Sequence, residues 1–245
     1  KLITDNINYS DIKNIFSDYY YDFSEIENND VIYISNPNNP TGAMLPSDDV
    51  LCLSHLSRKH KSLLILDEAF IEFTGESKRT TIILEAVKNR SLVILRSMTK
   101  FFAMPGLRLG YAIGHKRMIE EIIKLQYPWN VNGPAQLAGE KVLADKVYMD
   151  RTRLFVAKER QYMFERLGSI KGLKVYPSSA NFILCKLQSA PIHSSIELTR
   201  RLLRDGIYIR ACGNFRGLND KFFRVAVRKR DDNDLLVNSM EKALR

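Results

Sequence analysis

Lys100 is the residue from which chemistry can be read first. It follows two hydroxyls, Ser97 and Thr99, and Arg108 comes eight residues later in "SMTKFFAMPGLRLGY". An amine is a nucleophile, and two hydroxyls with a guanidinium make a cradle for an anion such as a phosphate. Two more candidates precede it: a carboxylate, Asp67, in "LLILDEAF", and an amide, Asn39, in the Pro-flanked "NPNNPTG". Taken singly, each has an ordinary reading: a solvated lysine, a capping aspartate, a turn asparagine and an ion-pair arginine. Jointly, and in this order, they point to one site that holds a phosphate and uses an amine.

Such groups need elements to position them. Val31–Ser35, "SLLILD" and "SLVILRS" read as short buried strands, each followed by a turn or loop carrying a candidate residue. Between them, a helix is predicted from Ser47 or Asp48, with Val50, Leu51, Leu53 and Leu56 on its apolar side, and another near 79–89. A further helix is predicted over 11–20, and "LRLGYAIG" reads as one more strand. Alternating strands and helices predict an α/β domain with a largely parallel sheet, in which ligands gather at the carboxyl ends of strands. Asn39, Asp67 and Lys100 all fall at or just beyond such ends.

After Pro134 the pattern changes. A Leu/Ala-rich charged stretch over 134–167 predicts helices broken near 148–151. Strands follow in "LKVYPSSANFILCKL", "GIYIRA" and "KFFRVAVR", with helices over 194–204 and 231–244. The organisation expected is therefore 1–133 as cofactor-binding α/β domain, 134–167 as interdomain helical region, and 168–245 as small α+β domain.

Composition excludes several classes. The 245 residues are 45% hydrophobic and 27% charged, as in a globular protein, and no apolar run has membrane-span length. Cys52, Cys185 and Cys212 form neither a metal motif nor a disulfide framework, so no metal is expected and a reducing cytoplasm is the expected location. The net charge of +9 concentrates in "SRKHK", "TRRLLR" and "RVAVRKR". No nucleic-acid module accompanies these runs, whereas a phosphorylated acidic small molecule suits a basic protein.

Pyridoxal 5′-phosphate would use every group named. Lys100 would supply the amine, Asp67, expected to be buried, would pair with the ring nitrogen, Asn39 would donate to the phenolic oxygen, and Ser97, Thr99 and Arg108 would hold the phosphate. The ordered segments "NPNNPTG", "LDEAFIEF" and "SMTKFFAMPGLRLGY" resemble the motifs of fold-type I pyridoxal-phosphate enzymes, the aminotransferase class I/II superfamily. That resemblance implies the same roles, a homodimer, and a fold whose N-terminal part is missing here, since relatives carry a longer stretch before the asparagine motif. A chain lacking that part is expected to bind cofactor weakly and to have little activity. Many relatives have tyrosine where this chain has Phe70; without that hydroxyl the link between Lys100 and cofactor is expected to hold its proton more tightly, unless another residue supplies the donor.

Within the superfamily, "YPWNVNGPAQLAG", "PSSANFIL" and "GIYIRACGNFRGL" resemble threonine-phosphate decarboxylases, with histidinol-phosphate aminotransferases next. The resemblance makes Arg224 the substrate-carboxylate partner, with Arg210 assisting it or reaching the phosphate, and Asn181 a substrate-side residue; arginine's planar fork suits both anions. The expected reaction is decarboxylation of L-threonine O-3-phosphate, the alternative a related amino transfer. A non-catalytic ligand-sensing module of the same fold is the reading from another class.

Overall fold

A computed structural model of the chain describes residues 2–4 (as backbone), 26–74, 81–188 and 192–245; the helix predicted over 11–20 lies outside the described residues. The described residues form two compact units, one of 2–4, 26–37, 45–74 and 81–153, the other of 38–44, 154–188 and 192–245.

In the first unit, β1 (Leu2–Thr4), β2 (Val31–Ser35), β3 (Leu63–Asp67), β4 (Leu92–Ser97) and β5 (Gly110–Gly114) lie side by side in that order. The first four run parallel; β5 is antiparallel to β4, because the segment between them carries no α-helix to cross the sheet. Ile32, Ile34, Leu64, Leu66, Leu92 and Ile94 alternate onto one face. There they pack with Val50 and Leu53 of α1 (Ser47–Lys59) and Ala86 of α2 (Ile83–Ala86). Each fully buried aliphatic of this set contributes about 1.5–3 kcal/mol of transfer free energy.

Helix α1 starts at Ser47 as expected, but Pro46 occupies the cap position and no side chain caps it; Asp48 and Asp49 instead face the positive end of the helix from its first turn. The helix predicted near 79–89 is reduced to the single turn of α2, with 79 and 80 outside the described residues. Helix α3 (Lys116–Lys124) has no counterpart in the sequence reading. Helices α4 (Gly133–Ala144) and α5 (Lys146–Gly168) meet at Asp145 rather than at 148–151. The cause is local: the Asp145 carboxylate accepts the Tyr148 N–H at 2.9 Å, capping the second helix just where the first ends.

The second unit holds an antiparallel sheet in the order β6 (Leu173–Val175), β7 (Phe182–Leu187), β9 (Phe222–Ala226), β8 (Arg210–Ala211). Helices α6 (Ser195–Leu202) and α7 (Arg230–Leu244) contribute Leu198, Val237 and Met240 to the core with Ile183, Leu184 and Phe223. Of the predicted strand "GIYIRA" only Arg210 and Ala211 pair, because Gly206 takes a left-handed turn (φ 74°) out of the preceding helix.

Candidate functional site

Strand parity builds the first half of the site. Ser35 pairs with Asp67, and Asp67 with Leu95, so Tyr33, Ser35, Asp67, Leu95 and Ser97 share the sheet face opposite the aliphatic core. Asp67 ends β3 and Ser97 ends β4, which sets both at one corner of that face. Asp67 is half-buried rather than buried as expected. Its Oδ1 accepts the Ala69 N–H at 3.0 Å, and its Oδ2 accepts the Tyr33 hydroxyl at 2.6 Å.

Beside it, the Ser97 and Thr99 hydroxyls share a 2.8 Å hydrogen bond, and Lys100 Nζ donates to Ser97 Oγ at 3.0 Å. The same ammonium stands 5.5 Å from the centre of the Phe70 ring, within cation–π range. Gly110 lies opposite Ser97, and a Cβ there would come within 2.7 Å of the Arg96 carbonyl; glycine lets β5 close against the corner. Arg108 is exposed in the loop leading to β5, with left-handed backbone (φ 52°) and its guanidinium on the Pro105 carbonyl at 3.1 Å. Among the described residues no hydrogen bond joins Arg108 to the Ser97–Thr99–Lys100 group.

The neighbouring residues in sequence point to the other face and form a closed ionic cluster. Arg96 Nε donates to Glu68 at 2.7 Å, and its other nitrogens reach Glu72 and the Thr81 hydroxyl. Thr81 donates to Glu68, and Arg153 Nη2 donates to Glu72 at 2.9 Å. Burial pushes the Glu68 carboxyl above its ordinary value, Arg96 opposing that shift. Sequence reading missed this cluster and Tyr33. The signal was available as parity: Glu68 and Arg96 break apolar runs at positions that the strands turn to the core side.

The second unit assembles the other candidates. Its loop 38–44 is internally braced: Asn38 N–H donates to the Ala43 carbonyl and Gly42 N–H to the Asn38 carbonyl, both at 2.7 Å, while Thr41 Oγ1 donates to the Asn38 side chain at 2.9 Å. Gly42 has φ 72°, and a Cβ on it would fall 2.0 Å from Ser178 Oγ, so both the turn and the close approach demand glycine. Pro40 and Asn38 are buried while Asn39 is exposed. The Asn39 side-chain carbonyl accepts a hydrogen bond from Arg224.

Arg224 also stacks on Phe182 at 4.5 Å and stands directly opposite Arg210 in the β8–β9 pairing. Burial pulls the Arg224 pKa below its ordinary value; Cys212 opposes this, and the like charge of Arg210 adds to it. Arg210 is exposed and donates to Asn214 at 3.0 Å. Asn181 contributes its backbone carbonyl, which accepts the Val227 N–H at 2.9 Å. The ion pairs of the described residues include none with Lys100, Arg108, Arg210 or Arg224, whereas other arginines of the basic runs are paired: Arg201 with Glu197, Arg228 with Asp232, Arg230 with Glu159. Among the described residues no helix is long and apolar enough to cross a membrane, and no group of three or more His, Cys, Asp or Glu side chains is placed to hold a metal.

The chain is 37% identical over 220 residues to the threonine-phosphate decarboxylase of Salmonella typhimurium strain LT2, covering 88% of this chain and 58% of that protein. It is 32% identical over 214 residues to a histidinol-phosphate aminotransferase of Caldanaerobacter subterraneus subsp. tengcongensis, covering 87% and 57%. Among solved structures, the histidinol-phosphate aminotransferase of Clostridium acetobutylicum superposes with a TM-score of 0.81 at 37% identity, covering 86% of this chain and 63% of that one. The chain thus spans 57–58% of the length of these curated relatives. The family model for aminotransferase class I and II matches residues 4–240. The chain belongs to the aminotransferase class I and II family.

Proposed function

We propose that the protein of this chain is a pyridoxal-phosphate-dependent enzyme acting on a phosphorylated amino acid, with decarboxylation of L-threonine O-3-phosphate as the first assignment. The observation that carries this reading is the corner where Lys100 Nζ lies 3.0 Å from Ser97 Oγ, on the sheet face that also ends in Asp67. An amine, two hydroxyls and a half-buried carboxylate at adjoining parallel strand ends match the donors that a phosphorylated pyridine aldehyde needs.

When bound, that cofactor supplies an electron sink for the bond broken at the substrate's α-carbon. Lys100 would provide the attachment point and carry the proton to or from that carbon. Asp67, already accepting from Tyr33 and the Ala69 N–H, has a remaining lone pair for a ring N–H. Ser97 and Thr99 would hold the phosphate, with Arg108 adding charge. Asn39 would donate to the phenolic oxygen through its side-chain NH2, since its side-chain carbonyl is already occupied by Arg224. Phe70 gives no hydroxyl to that oxygen.

Arg224 and Arg210 fix the substrate's anionic groups and thereby choose which bond at the α-carbon is turned for cleavage. A carboxylate so oriented is lost as carbon dioxide; a hydrogen so oriented gives amino transfer. Similarity to histidinol-phosphate aminotransferases supports the second reading. The partners proposed are the phosphorylated substrate and a second copy of the same chain. Incubation with cofactor and threonine phosphate tests the first assignment: carbon dioxide release supports it, and keto-acid-dependent amino transfer without gas replaces it by the second. Lys100→Ala abolishes visible cofactor absorbance that shifts on adding an amine; unchanged absorbance in that variant overturns the reading as a whole.

A further inference from the structure

Tyr33 stands outside every assignment above, yet it touches the carboxylate on which the cofactor site depends. It sits on β2, two residues before Ser35, the backbone partner of Asp67. The two-residue period therefore returns its side chain to the face that carries Asp67. Both residues are half-buried, and the Tyr33 hydroxyl donates to Asp67 Oδ2 at 2.6 Å, a short charge-assisted bond.

The other carboxylate oxygen, Oδ1, is held by the Ala69 backbone at 3.0 Å. One donor at each oxygen removes the rotation that a carboxylate at a strand end otherwise has. Because Tyr33 comes from a different strand, the hold persists only while β2 and β3 keep their register. The same geometry bears on Phe70: among the described residues, the Tyr33 phenol at this corner donates to Asp67, on the carboxylate side.

We infer that Tyr33 is a positioning residue that orients Asp67 for the ring nitrogen of a pyridine cofactor. This rests on the cofactor reading above. With Asp67 held in one rotamer, the ring meets a preorganised acceptor; with Tyr33 cut back to phenylalanine, part of the binding free energy goes into ordering the carboxylate.

A double-mutant cycle in the full-length protein that contains this chain tests it, using pyridoxal phosphate itself as probe and reading its dissociation constant from visible absorbance. Tyr33→Phe is expected to weaken binding about tenfold, the loss of one hydrogen bond to a charged group. The same change in an Asp67→Ala background is expected to have no effect, since there is no carboxylate left to orient. The urea midpoint of cofactor-free Tyr33→Phe stays near wild type, which separates positioning from general damage. Equal losses in both backgrounds, or no loss in either, overturn the inference while leaving the cofactor reading intact. No cofactor absorbance in wild type overturns both. Should Tyr33→Phe fail to fold, the wild-type chain still decides by proton NMR. A protected phenolic proton that disappears in Asp67→Ala supports the bond, and its absence in wild type refutes it.

Discussion

The two faces of the first sheet, at the ends of β3 and β4, treat charge in opposite ways. Asp67 and Glu68 are neighbours, as are Arg96 and Ser97, but the two-residue period sends one of each pair to either side. On the core side, Glu68, Arg96, Glu72, Thr81 and Arg153 satisfy one another, and Arg96 and Glu68 are only 7% and 1% exposed. On the other side, Lys100 is exposed, and its partners among the described residues are a hydroxyl and an aromatic face. The second unit repeats the contrast: Glu159 is closed over by Arg230 and Asn233, while Arg210 and Arg224 stand opposite each other with no ion pair to a carboxylate among the described residues. Closed clusters hold elements in place, and open cations have capacity left for a ligand.

The sharpest way to break that comparison is to cut one group on each side. Arg96→Ala leaves buried Glu68 with only the Thr81 hydroxyl among the described residues and Glu72 with Arg153 alone, and is expected to cost about 3–5 kcal/mol of unfolding free energy. Lys100→Ala, four residues on, is expected to stay within about 0.5 kcal/mol of wild type while losing all cofactor attachment. Urea titration of both variants reads the difference. The Arg96→Ala loss should also shrink in acid. Burial already raises the Glu68 pKa, so its charged form is the costly one, and protonation as pH falls relieves it. Similar midpoints for the two variants would remove the distinction between closed and open groups.

Next in size is the open pair of the second unit. Arg224→Gln is expected to reduce binding of phosphothreonine about 100-fold, the value of a charge-assisted pair to a carboxylate. Arg224→Lys recovers only part of it, because an ammonium cannot present the planar fork or stack on Phe182 in the same way. Arg210→Gln should cost less, since Arg210 is exposed and shares its guanidinium with Asn214. Calorimetric titration ranks the three. Equal losses for Arg210→Gln and Arg224→Gln would make the pair an undifferentiated basic patch.

How much of this was legible in sequence follows from the range of the forces. Strands β2, β3 and β4, and the Asn39, Asp67 and Lys100 positions at or beyond their ends, could be read because apolar runs and turn residues are local signals. The end of α4 at Asp145 was misplaced because one side-chain cap outweighs a continuous helical pattern. "GIYIRA" has strand composition, but only two of its residues find a partner strand, which propensity cannot foresee. Tyr33 and the Arg96 cluster were missed for a third reason. Their partners lie 15 to 81 residues away, and only tertiary packing brings them together.

The smallest effect probes the closed cluster of the second unit. Glu159 accepts from Arg230 at 2.8 and 3.0 Å and from Asn233 at 3.0 Å, joining α5 to α7. The hydrogen bond from Arg230 holds its carboxyl below the usual 4.5, with burial working the other way. A depressed carboxylate pKa means that ionised Glu159 favours the folded state. Its contribution is therefore present above pH 4.5 and is lost as pH falls through the lower folded value. Glu159→Gln keeps the shape and one acceptor, and Arg230 is partly exposed, so the cost at neutral pH is expected to be only about 1 kcal/mol. The gap between wild type and variant should close on acidification, which urea midpoints across a pH series will read. A gap that stays constant would mean that Glu159 holds the two helices by packing alone, and that the ionic closure of this cluster does not stabilise the unit.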